Sequence, residues 1–214
     1  MKQHKILDVR NLTPSTYVIQ MEKNGFEFKT GQYITLGRTG SIDRREYSIY
    51  SSEKDKYLEV LIKEVDEGLV SKQLKKCKTG DALDIDGPFG HFSLKEEEIS
   101  KRKFLFIATG TGISPIHSFI KTYPELDYTL LHGVREGSDA CERECYEDDR
   151  YILCTSRDKT GDFHGRVTDY LLKYPVDPDT VCYLCGNCYM IYEVYDILEK
   201  QGISLGPVHT EVYF

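Results

Sequence analysis

Nothing in these 214 residues approaches the roughly 20 consecutive apolar residues of a membrane-spanning helix. The opening Met1-Lys2-Gln3-His4-Lys5 lacks the apolar core of a secretory signal, so a cytoplasmic protein with no membrane partner is expected. An excess of positive charge is missing too. The 28 basic and 35 acidic residues leave a net charge of -7, which argues against a non-specific nucleic-acid binder. A local basic patch for an acidic partner is compatible with that total. The 7 cysteines are an odd set behind no signal, so reduced thiols are expected rather than a disulfide framework. There is no internal repeat and no low-complexity tract. What is present, 40% hydrophobic and 29% charged residues, folds as a globule, and the length suits one large domain or two of about a hundred residues.

The first half reads as all-β. Val, Ile, Leu and Tyr-rich runs occur near Ile6–Val9, Thr16–Met21, Gln32–Leu36, Glu46–Tyr50, Leu58–Val65 and Ala82–Ile85. Turn chemistry such as Lys23-Asn24-Gly25 and Thr79-Gly80-Asp81 separates them, as in a small antiparallel barrel of six strands. One helix is expected at Val70–Lys76, with Ser71 near its start. Gly87-Pro88-Phe89-Gly90 reads as a strand stop, and the charged run from Lys95 follows it. The boundary is therefore placed between Leu94 and Lys103, giving domains 1–98 and 99–214. Beyond it the period changes. Phe104–Ala108, Tyr128–His132, Tyr151–Cys154 and Val181–Leu184 are continuous apolar strands alternating with helical segments, the pattern of a doubly wound parallel α/β sheet.

Chemistry-bearing residues cluster at a few places. In Arg45-Glu46-Tyr47-Ser48-Ile49-Tyr50-Ser51, read as a two-faced strand, a flat aromatic ring, a hydroxyl and a planar cation suit a ring system with a phosphate tail; an ordinary edge strand is the alternative. Gly110-Thr111-Gly112-Ile113-Ser114-Pro115 joins a buried strand to a helix. Glycines there let the backbone turn sharply and approach a ligand, and the helix start offers N–H groups to a phosphate. It is shorter than the full Rossmann fingerprint. Ser156 and Arg157 close another strand, with Arg166 nine residues on, a set suited to a second phosphate such as the 2′-phosphate of NADP. Cys185-Gly186-Asn187 puts a small thiol where it can touch a flat ring, and Glu211-Val212-Tyr213-Phe214 ends the chain with a carboxylate and two aromatics. Cys182, Cys185 and Cys188, with Cys141 and Cys145, have metal-like spacing. Since Cys182 lies inside a buried strand and Cys185 at its end, no metal is expected. His132 reads as a satisfied core residue; for His164, beside Gly165 and Arg166, contact with the nucleotide is only the minor reading.

In order and spacing these motifs resemble the ferredoxin–NADP(+) reductase family of flavoproteins, over essentially the whole chain. The resemblance implies FAD, favoured over FMN on that ground alone, and NADP(H). It implies that Arg45 lies on the flavin pyrophosphate, Tyr47 on the ring and Ser48 near its N5. Leu61-Ile62-Lys63 would run along the flavin by backbone contacts, and Gly68-x-x-Ser71 would meet a flavin phosphate. Gly110, Thr111 and Gly112 would cradle the NADP pyrophosphate, and Ser156, Arg157 and Arg166 the 2′-phosphate. Cys185 would border the nicotinamide, with Glu211 polarising the site or relaying a proton. Ser48, Cys185 and Glu211 are thus the expected catalytic residues. Tyr213 or Phe214 would cover the other flavin face and move aside for nicotinamide; plant-type members end at the tyrosine, whereas some bacterial relatives extend past it. Tyr50 stands where many relatives carry alanine. Hydride would pass between nicotinamide and flavin, and single electrons between flavin and ferredoxin or flavodoxin, steered by Arg44, Arg45, Lys72, Lys75 and Lys76. The alternative is an NAD(P)H-dependent reductase feeding an oxygenase or another acceptor.

Overall fold

Alternating β-branched and aromatic residues between glycine-rich turns build the N-terminal sheet. The structure, a computed structural model, describes residues 2–213. Its first strands are β1 (Lys2–Asn11), β2 (Thr16–Glu22), β3 (Tyr33–Arg38), β4 (Arg45–Ser48), β5 (Tyr57–Lys63) and β6 (Ala82–Phe89). They form an antiparallel sheet in the order β4-β3-β6-β1-β2-β5. Just past β4, an antiparallel bridge from Ile49 to Val60 and the Tyr50 N–H to Glu59 carbonyl bond (2.7 Å) close the sheet into a barrel. Inward residues such as Ile19, Ile34, Leu36, Val60, Ile62 and Leu83 fill it, and Val70 and Leu74 of α1 (Leu69–Lys75) join the same core.

Two readings of this half are corrected. Gly87-Pro88 does not end the strand: β6 runs on to Phe89, opposite Tyr33. A register irregularity between Tyr33 and Thr35 absorbs the proline, which has no N–H to give a regular ladder. The run around Tyr47 is not a two-faced strand up to Ser51 either. Regular pairing stops at Ser48, and Ser48, Ile49, Tyr50 and Ser51 are all buried where the chain leaves β3 for β5.

The second sheet consists of β7 (Lys103–Thr109), β8 (Asp127–Val134), β9 (Tyr151–Thr155), β10 (Phe163–His164), β11 (Val181–Asn187) and β12 (Val208–Tyr213). All pair in parallel, in the order β10-β9-β8-β7-β11-β12. Strands β10 and β12 are too short or too polar to stand out in the sequence. The helices are α2 (Ile113–Thr122), α3 (Val167–Lys173) and α4 (Cys188–Lys200). One sheet face, with Leu105, Ile107, Leu131, Cys182 and Leu184, packs with Val167, Leu171, Ile191, Val194 and Leu198 of α3 and α4. The other face is aromatic: Phe104, Phe106, Tyr128 and Tyr183 meet at ring separations of 5.9–6.2 Å.

The chain divides into two compact units, Met1–Leu94 with His117–Thr122, and Lys95–Ile116 with Tyr123–Phe214. The later half of α2 therefore belongs with the barrel. Ser118 Oγ donates to the Ser51 carbonyl (2.7 Å), and the His117 ring stacks on Tyr50 at 3.9 Å and 12°. Tyr50, the residue that departs from the family pattern, is fully buried in that stack.

Candidate functional site

In the barrel unit, β4 carries the expected flavin residues. Arg45 is exposed; Nη1 donates to the Arg44 carbonyl (2.7 Å), and no acidic side chain among the described residues pairs with it. Tyr47 is half-buried against the barrel core, and burial lifts its hydroxyl to about 12 against the opposing charge of Arg45. It stays a neutral, flat surface beside a cation. Ser48 follows, buried.

Strand β5 supplies backbone. Ile62 points wholly into the core and Lys63 outward, so neither offers a side chain to a flavin ring. Their outer edge is different. β5 ends the sheet, and past the Val60 bridge no strand among the described residues pairs with it. Leu61 and Ile62 are nonetheless only 4% and 0% exposed, so of Leu61, Ile62 and Lys63 only Lys63 reaches the surface.

Gly68 precedes α1, and Ser71 lies in its first turn. A Cβ on Gly68 would sit 2.8 Å from Ser71 Oγ and 3.0 Å from Val65 Cβ, so only glycine allows the chain this close. Ser71 Oγ accepts the Val65 N–H (3.2 Å), which leaves the hydroxyl hydrogen for a phosphate oxygen. Tyr17 Oη donates to the Ser71 carbonyl at 2.5 Å and ties the turn to β2.

In the α/β unit, strand order sets the site. Strand β7 has β8 on one side and β11 on the other, so successive crossovers leave in opposite directions and open a crevice at the carboxyl ends of β7 and β11. Gly110-Thr111-Gly112 and Cys185-Gly186-Asn187 both lie at those ends. The glycines divide the work in a way the sequence does not reveal. Gly110 has φ +53° and nothing within 4 Å of an added Cβ; it provides the turn and faces open space. Gly112 is packed on protein, since its Cβ would lie 2.4 Å from the Cys185 carbonyl oxygen. Gly186, at φ +136°, would place a Cβ 2.2 Å from Thr109 Oγ1, which also accepts the Asn187 N–H at 3.0 Å.

Parallel pairing of β11 and β12 sets Cys185 opposite Glu211 and Asn187 opposite Tyr213. The buried Cys185 thiol donates to Glu211 Oε2 (3.8 Å). Burial first, then the charge of Glu211, pushes the thiol well above its usual value, with Tyr213 opposing, so Cys185 is a neutral thiol. Cys182 projects to the opposite sheet face, with α3 and α4, and Cys188 begins α4. Phe214 lies outside the described residues.

At the neighbouring strand ends, Ser156 Oγ donates to the Val134 carbonyl (3.4 Å), and the Arg157 N–H to that of Arg135 (2.8 Å). Arg135, at the end of β8, is the residue the sequence reading misses. Like Arg157 it is exposed, and neither has an acidic partner among the described residues. Arg166, at the start of α3, follows Gly165, whose N–H donates to the Thr155 carbonyl (2.9 Å); its guanidinium is 3.9 Å from Glu193 with both side chains mostly in water, a pair too weak to hold it. His164 Nδ1 bonds to the Asp158 carbonyl at 2.5 Å.

Comparison with known proteins agrees with both halves. Family models of the oxidoreductase FAD-binding domain and the oxidoreductase NAD-binding domain match residues 7–94 and 106–196. The chain is 32% identical to the toluate 1,2-dioxygenase electron transfer component of Pseudomonas putida, over 99% of this chain and 67% of that protein. It is 27% identical to the ferredoxin–NADP reductase of Pseudomonas aeruginosa, over 95% of this chain and 91% of that one. The chain spans 52–64% of the length of several other curated relatives, among them the phenol hydroxylase P5 protein of Acinetobacter pittii and the reductase component 2 of a Comamonas terephthalate 1,2-dioxygenase. The solved ferredoxin NADP+ reductase of Neisseria gonorrhoeae shares the fold, with a TM-score of 0.89 at 23% identity over 100% of this chain and 98% of that one. With an FAD-binding barrel, an NAD(P)-binding parallel sheet and a thiol–carboxylate pair at the switch point, the chain belongs to the ferredoxin–NADP(+) reductase family of flavoprotein oxidoreductases.

Proposed function

We propose that this oxidoreductase is a ferredoxin–NADP(+) or flavodoxin–NADP(+) reductase, specific for NADP(H) over NAD(H). The observation that carries the reading is the pair of exposed arginines Arg135 and Arg157 on adjacent strand ends, neither with an acidic partner among the described residues, with Ser156 next in the chain to Arg157. A 2′-phosphate gains charge-assisted bonds from such a set, and a 2′-hydroxyl gains little.

Bound FAD supplies the coupling of two-electron hydride chemistry to single-electron transfer. The chain's own residues do the rest. Tyr47 would give the ring a flat wall, and Ser48 would hydrogen-bond at its edge. Arg45 and Ser71 take the phosphate tail. On the nucleotide side, the glycine turn and the start of α2 receive the pyrophosphate. Cys185, small and uncharged, borders the nicotinamide, and Glu211 holds negative charge beside it. Tyr213 lies on the strand next to that thiol.

A second reading, a reductase component that feeds an oxygenase, has its own support. Arg44 is paired with Asp84 (3.2 Å) and Lys75 with Glu64 (2.5 Å), so two of the cations expected to steer an acidic ferredoxin are neutralised internally. The test is anaerobic stopped-flow reduction of the purified yellow protein by NADPH and NADH, followed by reoxidation with ferredoxin, flavodoxin or an oxygenase. Losing one charge-assisted phosphate bond, Arg157→Ala raises KM for NADPH by about tenfold or more and leaves NADH nearly unchanged. Equal effects on both dinucleotides defeat the phosphate assignment, and a colourless protein that FAD cannot reconstitute defeats the whole reading.

A further inference from the structure

We infer that His132 is a positioning residue of the nucleotide site: its imidazole pins the Gly110 carbonyl and so aims the turn that receives the pyrophosphate. The inference rests on the assignment of Gly110–Gly112 to the dinucleotide pyrophosphate. His132 lies on β8, paired with Ala108 of β7, and its ring is 1% exposed. Nε2 is 2.9 Å from the Gly110 carbonyl oxygen, and Nδ1 is 2.7 Å from Tyr151 Oη. A carbonyl carries no hydrogen, so Nε2 holds the proton and Nδ1 accepts the tyrosine O–H. The neighbours therefore choose the tautomer.

The Gly110 carbonyl also accepts the Ile113 N–H, so both of its lone pairs are engaged. In a trans peptide the carbonyl and the following N–H point in opposite directions. Holding the Gly110 carbonyl towards β8 thus turns the Thr111 N–H away from it. Gly110 itself has a left-handed φ and open space where a side chain would stand, so packing around that residue does not hold the turn. His132 supplies what packing does not.

Tyr151 is fixed in its own right. Its ring stacks on Tyr146 (5.1 Å, 15°), and the Arg143 guanidinium lies 5.5 Å from its centroid, with Arg143 bound to Asp162 at 2.8 Å. Burial lowers His132 to about 4 against the opposing Gly110 carbonyl, so the ring is neutral near pH 7 and keeps one donor and one acceptor.

The pyrophosphate is common to NADP(H) and NAD(H), which separates this role from that of Arg157. In the FAD-loaded protein, His132→Phe removes the donor at similar volume. It raises KM for NADPH and for NADH, and Kd for NADP+, by the same factor of about five to ten, with kcat within about twofold. His132→Gln, with an amide donor near the Nε2 position, recovers most of the loss. Tyr151→Phe frees the tautomer, gives a smaller rise of the same kind and covers the case in which His132→Phe does not fold. Without any nucleotide, the ring 15N spectrum shows the Nε2-protonated tautomer, and Thr111 amide exchange accelerates in His132→Phe. An unchanged Kd, a fall in kcat alone, or an Nδ1-protonated ring overturns the inference while the nucleotide assignment stands. A wild-type protein that binds neither dinucleotide overturns both.

Discussion

Gly112 offers a sharp test of how the α/β site is assembled. In Gly112→Ala the new methyl meets the Cys185 carbonyl oxygen at 2.4 Å, its carbon at 2.7 Å and the Gly186 Cα at 2.9 Å. Carbon–carbon contacts are comfortable at about 3.5 Å or more, so the overlap approaches 1 Å. All three atoms are main chain, and no rotamer can relieve it. The end of β11 must separate from the glycine turn, which costs about 3 kcal/mol, the upper part of the range for overpacked sites. For a chain of this size that lowers the melting temperature of the α/β unit by about 6–12 °C. Because the displaced atoms belong to Cys185 and Gly186, flavin reduction by NADPH slows as well. The control is Gly40→Ala, at φ +80° with nothing within 4 Å, which pays only backbone strain of about 1 kcal/mol. Scanning calorimetry and stopped-flow reduction read both variants. If Gly112→Ala melts with the wild type and is reduced at the wild-type rate, the two loops do not interlock and the argument is wrong.

Two further outcomes concern protonation. The folded-state value of His132, about 4, lies below the ordinary 6.5, so its contribution to stability is complete above about pH 6.5 and is lost as the pH falls towards 4. That gap is worth about 3 kcal/mol, and urea unfolding should show the wild type losing about 2 kcal/mol more than His132→Phe between pH 7 and pH 4.5; parallel losses would refute a buried neutral imidazole. The neutral, buried Cys185 thiol should resist iodoacetamide at pH 8 while exposed Cys145 is alkylated, as followed by peptide mass mapping. Equal labelling of the two would contradict the burial of Cys185.

Much of this architecture is local and therefore readable from the chain. Alternation between turn residues marks the barrel strands, continuous apolar runs such as Phe104–Ala108 mark a sheet covered on both faces, and Gly110-Thr111-Gly112 marks the turn from β7 into α2, because each depends on residues within a few positions of one another. Gly87-Pro88 misleads for the same reason: a proline stops a strand by local rules, and only the irregular register opposite Tyr33 shows how β6 accommodates it. Strand order and register belong to tertiary structure. They bring Cys185 against Glu211, 26 residues away, set Arg135 beside Arg157 and place the His132 ring under Gly110. They also assign different duties to two glycines that look alike in sequence, since Gly110 faces open space while Gly112 rests on the main chain of Cys185. Periodicity says which face of a strand is buried, but it carries no information about which strand lies alongside. The residue types at the site could therefore be read from the chain, whereas their partners became visible only when parallel pairing set the ends of β7, β8, β9, β11 and β12 side by side.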